Sequence, residues 1–160
     1  MDTVTAVAAW VAALGSGLMA GVFFAFSTFV MAGLTRLPPA QGLTAMQSIN
    51  RTASHPLLMA ALFGTALACL VLMVRAMANW GDPGLGWVLA GSAFYVVGAF
   101  GVTLARHVPM NLALERVKAE APDAAGRWTG YAASWTRWNH LRAVGSLGAA
   151  GLLTVALMQS

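Results

Sequence analysis

The chain has 160 residues, of which 59% are hydrophobic and 9% charged, and its mean hydropathy of +0.71 excludes a water-soluble globular domain. The net charge of +4 comes with no motif that interleaves aromatic and basic residues, which excludes nucleic acid and makes membrane lipid, through anionic headgroups, the expected partner. A single cysteine, Cys69, excludes an intrachain disulfide.

Charged residues divide the chain into four long neutral stretches, residues 3–35, 52–74, 83–105 and 143–160. Each is long enough to cross a hydrocarbon core of roughly 30 Å, which takes about 20 helical residues. The stretches lack the period-2 alternation of a membrane barrel, and in lipid each span must satisfy its own backbone groups. The expected fold is therefore all-α: an integral membrane four-helix bundle forming one domain over residues 1–160, with spans at about 4–34, 54–76, 85–107 and 140–158.

The first span begins near Thr3. Met1-Asp2-Thr3 lacks the basic start of a secretion signal and the apolar run is too long for one, so the segment is expected to be retained. Gly17 and Gly21 form a GxxxG pair, which suits internal bundle packing or dimerisation into a homo-oligomer. Pro38-Pro39 and Gly42 predict a loop over residues 37–43. Met46, Ile49 and Asn50 then read as a helical approach to the second span, with Pro56 as a kink. Cys69, midway along that span, has a packing role. Trp80 and Trp87 bracket a turn at residues 81–84 and read as an interfacial aromatic belt.

The third span carries Gly91, Ser92, Gly98 and Gly101 and is expected to run until Pro109 removes a backbone donor, leaving residues 105–111 kinked or broken. Glu115 to Arg127 is the most charged segment, with Asp123 as a helix cap. Trp128, Tyr131, Trp135, Trp138 or Asn139, and Arg142 then recur at helical spacing in an amphipathic approach helix lying at the membrane surface, before a fourth span containing Gly145, Gly148 and Gly151. Of the nine Lys and Arg residues, all but Arg75 belong to the ends and loops joining spans one to two and three to four. The positive-inside rule puts those loops in the cytoplasm and both termini outside, in a multi-pass protein of the inner (plasma) membrane.

This topology gathers polar residues at the cytoplasmic ends of the helices. Asn50 and Arg51 share a helix end with Ser54 and His55; Thr103, His107 and Asn111 are four apart, on one face if the helix survives Pro109; Trp135, Asn139 and Arg142 share a face, with Trp138 and His140 beside them. Arg, Asn and Trp taken singly suit any membrane interface. Three Asn and two His beside apolar spans point instead to a shared buried site, because intramembrane polar groups are functional candidates by default. No His pair is spaced i, i+3 or i, i+4, and no CxxC or HxxE occurs, so His55, His107, His140 and Glu115 do not read as a metal site.

Asn50, the run from Thr103 through Arg106-His107-Val108-Pro109 to Asn111, and Trp135-Thr-Arg-Trp138-Asn139-His140-Leu-Arg142 together resemble the anthrone oxygenase-like family of small four-helix membrane proteins. The family pattern commonly has Asn immediately before Val-Pro, where this chain has His107. The resemblance implies oxidation of an anthrone, or of an aromatic or quinol-like lipophilic small molecule, by molecular oxygen without a cofactor. On that chemistry His107 is the base, Asn50, Asn111 and Asn139 donate hydrogen bonds to a developing oxyanion, and Arg142 stabilises its charge. Trp135 and Trp138 supply flat walls, with Arg51, His140 and Thr103 contacting substrate. The alternative is a non-enzymatic membrane protein that holds a lipid, a quinone or a partner helix in the same cluster, with a metal- or haem-binding membrane protein ranked below it.

Overall fold

The computed structural model describes residues 2–79 and 84–159. Trp80 and residues 81–83 of the expected turn lie outside that range; Trp87 is half exposed. The described residues contain helices and no strand, and four helices are long and apolar enough to span a membrane. The protein is a multi-pass membrane four-helix bundle.

Helix α1 (Thr3–Thr35) starts where the Asp2 carboxylate accepts the Thr5 backbone N–H at 2.9 Å, an N-cap that satisfies one of the orphan donors of the first turn. Arg75, the lone cation of the opposite face, pairs with Asp2 and donates to the Thr5 hydroxyl at 2.6 Å, tying the start of α1 to the second span. Helix α2 (Pro39–Thr52) begins at the second proline, so the expected loop over 37–43 is shorter. Proline at the first helical position loses no bond there and its fixed φ suits the helix. Gly42 lies inside α2, at a position where a Cβ would come within 2.7 Å of the Leu34 carbonyl oxygen and 3.0 Å of the Trp128 ring. His55 caps α3 (Pro56–Ala78), its Nδ1 accepting from the Leu57 N–H at 3.3 Å. Pro56 thus starts a helix instead of kinking one.

Helix α4 (Leu85–Glu115) follows Gly84, whose φ of 84° is the left-handed conformation that glycine adopts at no steric cost. It passes through Pro109 unbroken. Two π-helical stretches, Phe94–Gly101 and Thr103–His107, precede the proline, and Pro109 falls in the first turn of the α-helical segment that resumes at Val108, where a missing donor costs little. Helix α5 (Ala124–Met158) is one helix of 35 residues, roughly 50 Å at 1.5 Å per residue. The expected surface approach helix is therefore the first half of the fourth span. Its aromatic face is buried against the bundle, at Trp128, Tyr131 and Trp135, instead of lying among headgroups.

Each spanning helix packs on two neighbours in the closed order α1, α3, α4, α5 and back to α1, with α1 against α5 the most extensive pair. Close approach uses glycines that the GxxxG spacing does not pick out. A Cβ on Gly15 would strike Thr65 Oγ1 at 2.0 Å, and Gly98 meets Gly145 backbone to backbone, whereas Gly17 and Gly21 have nothing within 4 Å. The GxxxG pair therefore plays no part in internal packing.

Two apolar cores result. One fills most of the bundle with Ala9, Met19, Phe23, Leu72, Tyr95 and Leu153. The other lies under α2, with Met31, Leu43, Met46, Leu114, Trp128 and Trp135.

A candidate active site at the junction of the two cores

Arg142 stands where the cores meet. Its guanidinium carbon is 4.2 Å from the Phe23 ring centre in one core and 5.2 Å from the Trp135 ring centre in the other, within cation–π range of both. It is 7% exposed and makes no ion pair among the described residues. Its hydrogen bonds go to neutral oxygens, Asn139 Oδ1 at 2.6 Å and Thr103 Oγ1 at 3.3 Å, and its Nε donates to nothing. A cation kept so far from water without a carboxylate is expensive.

Asn139 is fully buried and fully engaged. Its Nδ2 donates to the Phe23 carbonyl and to Ser27 Oγ, both at 2.7 Å, while Oδ1 accepts from Arg142. Asn139 thereby joins α1 to α5 and aims the guanidinium. Phe23 and Ser27 are contributions from α1 that sequence reasoning missed. Ser27 lies in a π-helical stretch, Phe26–Val30, and Thr103 and His107 lie in the π-helical stretch of α4 at the same level. Such bulges re-aim side chains and are frequent at functional sites, but no residue periodicity announces them.

His107 is 1% exposed and packs edge-on against Trp135, ring centres 4.9 Å apart. Its nitrogens point toward the backbone of Val102 and Trp135 without closing a hydrogen bond to either, and the ring lies in the field of Arg142. Trp135 is fixed from the other side, its indole N–H donating to Asn111 Oδ1 at 3.0 Å, and the Tyr131 hydroxyl donates to the same oxygen at 2.8 Å. Asn50 turns its amide toward Tyr131 without closing a hydrogen bond, leaving its buried Nδ2 unpaired. Helices α1, α2, α4 and α5 all contribute to this site.

Three residues expected at the site stand apart from it. Arg51 is exposed and pairs with Glu115 at 2.6 Å. Trp138 is part-buried and lies under Arg106, whose guanidinium carbon is 4.6 Å from the Trp138 ring centre. His140 is exposed. Gln47, which sequence reasoning passed over, is buried and donates to the Leu114 and Val117 carbonyls, both at 2.9 Å, closing the end of α4 onto α2. Among the described residues no three His, Cys, Asp or Glu side chains gather.

The arrangement offers a buried cation with an unused N–H, an imidazole with two unused nitrogens, and aromatic walls. Those are the groups needed to hold a flat organic anion and to move a proton beside it. Residues 46–152 match the family model described as anthrone oxygenase, a segment that includes the second half of α2, all of α3 and α4, and the part of α5 bearing the cluster. No curated protein and no solved structure matches the chain.

Proposed function

The chain belongs to the anthrone oxygenase family, and from that membership we propose that the cluster around Arg142 oxidises an anthrone, or a related acidic aromatic or quinol-like lipophile, with molecular oxygen and no cofactor. The observation that carries the reading is the unneutralised guanidinium of Arg142 beside the unpartnered imidazole of His107, both against Trp135.

An anthrone carries an acidic methylene. His107 takes one of its protons, and the resulting phenolate-carbanion is held by the Arg142 N–H groups. The anion passes one electron to oxygen, and the radical pair combines into a peroxide at the same carbon. Proton return from His107 and loss of the second methylene proton release water and leave the quinone carbonyl, so that anthrone and oxygen give anthraquinone and water. Trp135 and Phe23 flank the ring system. Asn139 positions Arg142, Asn111 positions Trp135, and Thr103 supplies a second contact to the guanidinium. The buried, unpaired Nδ2 of Asn50 supports a role for it as a donor to a substrate oxygen. By the positive-inside rule, the excess of basic residues at this end supports a site on the cytoplasmic side of the plasma membrane.

Oxygen uptake by the purified protein with 1,8-dihydroxyanthrone is the test. Conversion to the anthraquinone should fall by about 10²–10⁴ in His107→Gln and by about 10²–10³ in Arg142→Met. Wild-type turnover in both variants, with folding intact, sinks the assigned roles.

A further inference from the structure

Ser27 faces two ways. Its Oγ accepts from Asn139, and the same residue lines an open groove of 570 Å³ between the end of α1 and the first half of α5. Met31, Ala132 and Trp128 give the groove an apolar and aromatic wall, and Arg137 and His140 stand on its rim, one turn apart on α5. Both are exposed. Neither is in an ion pair among the described residues, and no acidic side chain lines the groove.

The volume falls in the range of about 300–1,000 Å³ that takes small organic ligands. An acyl chain would use the apolar wall alone, and a free inorganic anion would use the rim alone. A flat wall with a cation at one edge, floored by the residue that holds Asn139, fits a fused aromatic ring system bearing an acidic substituent. We infer that this groove is the port through which substrate reaches the Arg142 cluster, and that Arg137 and His140 select lipophilic aromatic acids over their neutral analogues. The inference rests on the oxygenase reading for what lies behind the port and on the groove alone for its selectivity.

The test is binding without turnover. Wild-type protein in phosphatidylcholine nanodiscs is titrated with anthraquinone-2-carboxylate and with 2-methylanthraquinone, following quenching of tryptophan fluorescence. The carboxylate should bind about ten-fold tighter, the effect of one charge-assisted hydrogen bond. The preference should vanish in Arg137→Gln with His140→Gln, while the affinity for the neutral probe is kept. Since both side chains are exposed, these substitutions leave the bundle intact, which thermal unfolding checks. Equal affinity of the wild type for the two probes overturns the proposal, as does a preference that survives the double substitution. Selective retention of phosphatidylglycerol over phosphatidylcholine in native mass spectra, abolished by Arg137→Gln, assigns the groove to lipid and also overturns it. A protein that prefers the carboxylate but consumes no oxygen with 1,8-dihydroxyanthrone defeats the oxygenase reading alone. One that consumes oxygen but binds both probes equally defeats this inference alone.

Discussion

Arg142 donates to the side-chain oxygen of Asn139 at 2.6 Å, one turn back on the same helix, while the nitrogen of that amide reaches across to Phe23 and Ser27 of α1. The amide is thus a two-way clamp, fixing the cation on α5 and the π-helical stretch of α1 together. Asn139→Ala removes three hydrogen bonds and leaves buried partners unpaired, at about 1–3 kcal/mol for each group so stranded. Unfolding of the detergent-solubilised protein in increasing dodecyl sulfate should show a loss in that range or above. Asn139→Asp should cost less, because the carboxylate keeps Arg142 although it forfeits the two donors.

Tyr131 and Trp135 converge on one acceptor, Asn111 Oδ1. Tyr131→Phe and Trp135→Phe each delete one neutral hydrogen bond, worth about 1 kcal/mol, and Trp135→Phe also trims a packed ring. Each variant leaves the other donor in place, and that donor can re-centre on the oxygen. The double variant strands the acceptor, so its loss should exceed the sum of the singles. A double-mutant cycle reads the difference directly, and strict additivity would show that the two bonds are independent.

Gly15 and Gly17 differ by two residues and face opposite surroundings. Gly15→Ala drives a Cβ to 2.0 Å from Thr65 Oγ1, while Gly17→Ala meets open space. The first should destabilise the bundle by about 1–3 kcal/mol. The second should be neutral or stabilising, since alanine is the better helix former by about 1 kcal/mol. Thr65→Ala should relieve most of the Gly15→Ala defect, as measured by thermal unfolding in detergent.

The Asp2 carboxyl is held below its ordinary 3.8, first by the Thr5 backbone N–H, then by the Thr5 hydroxyl and the charge of Arg75. A carboxylate with a depressed folded value contributes its stabilisation above the unfolded value and loses it as pH falls through the folded one. The N-cap of α1 should therefore persist at pH 5 and open only below pH 3.8. The Thr5 amide resonance should report a midpoint under that value, which moves upward in Arg75→Gln. A midpoint at or above 3.8 in the wild type contradicts the cap.

Composition and span length were enough to read the membrane bundle, because transfer of apolar helices into lipid depends on sums over 20 residues and tolerates local irregularity. The spacing Trp135, Asn139, Arg142 placed three site residues on one face of a helix, and that face is buried. The α1 side of the site was not legible. Phe23 contributes a backbone carbonyl and a ring, and Ser27 a hydroxyl, none of which stands out in an apolar run. The π-helical turns that aim Ser27, Thr103 and His107 depend on packing between helices and leave no repeat in the sequence. Arg51 reads as a site residue by position alone, yet the partner that turns it outward, Glu115, arrives from another helix.

Arg142 also sets stability against function. Burying a cation inside a membrane helix costs about 2.5–3.5 kcal/mol on insertion scales, and here only neutral oxygens and two aromatic rings offset it. Arg142→Met fills a similar volume with an apolar chain and relieves that cost, at the expense of leaving the buried Asn139 Oδ1 without its donor, about 1–3 kcal/mol. Its resistance to dodecyl sulfate should equal or exceed that of the wild type even as the proposed anthrone oxidation drops by about 10²–10³. A fold that needed Arg142 would give the reverse, with Arg142→Met unfolding early. Stability maintained while turnover collapses is the signature of a charge kept for chemistry.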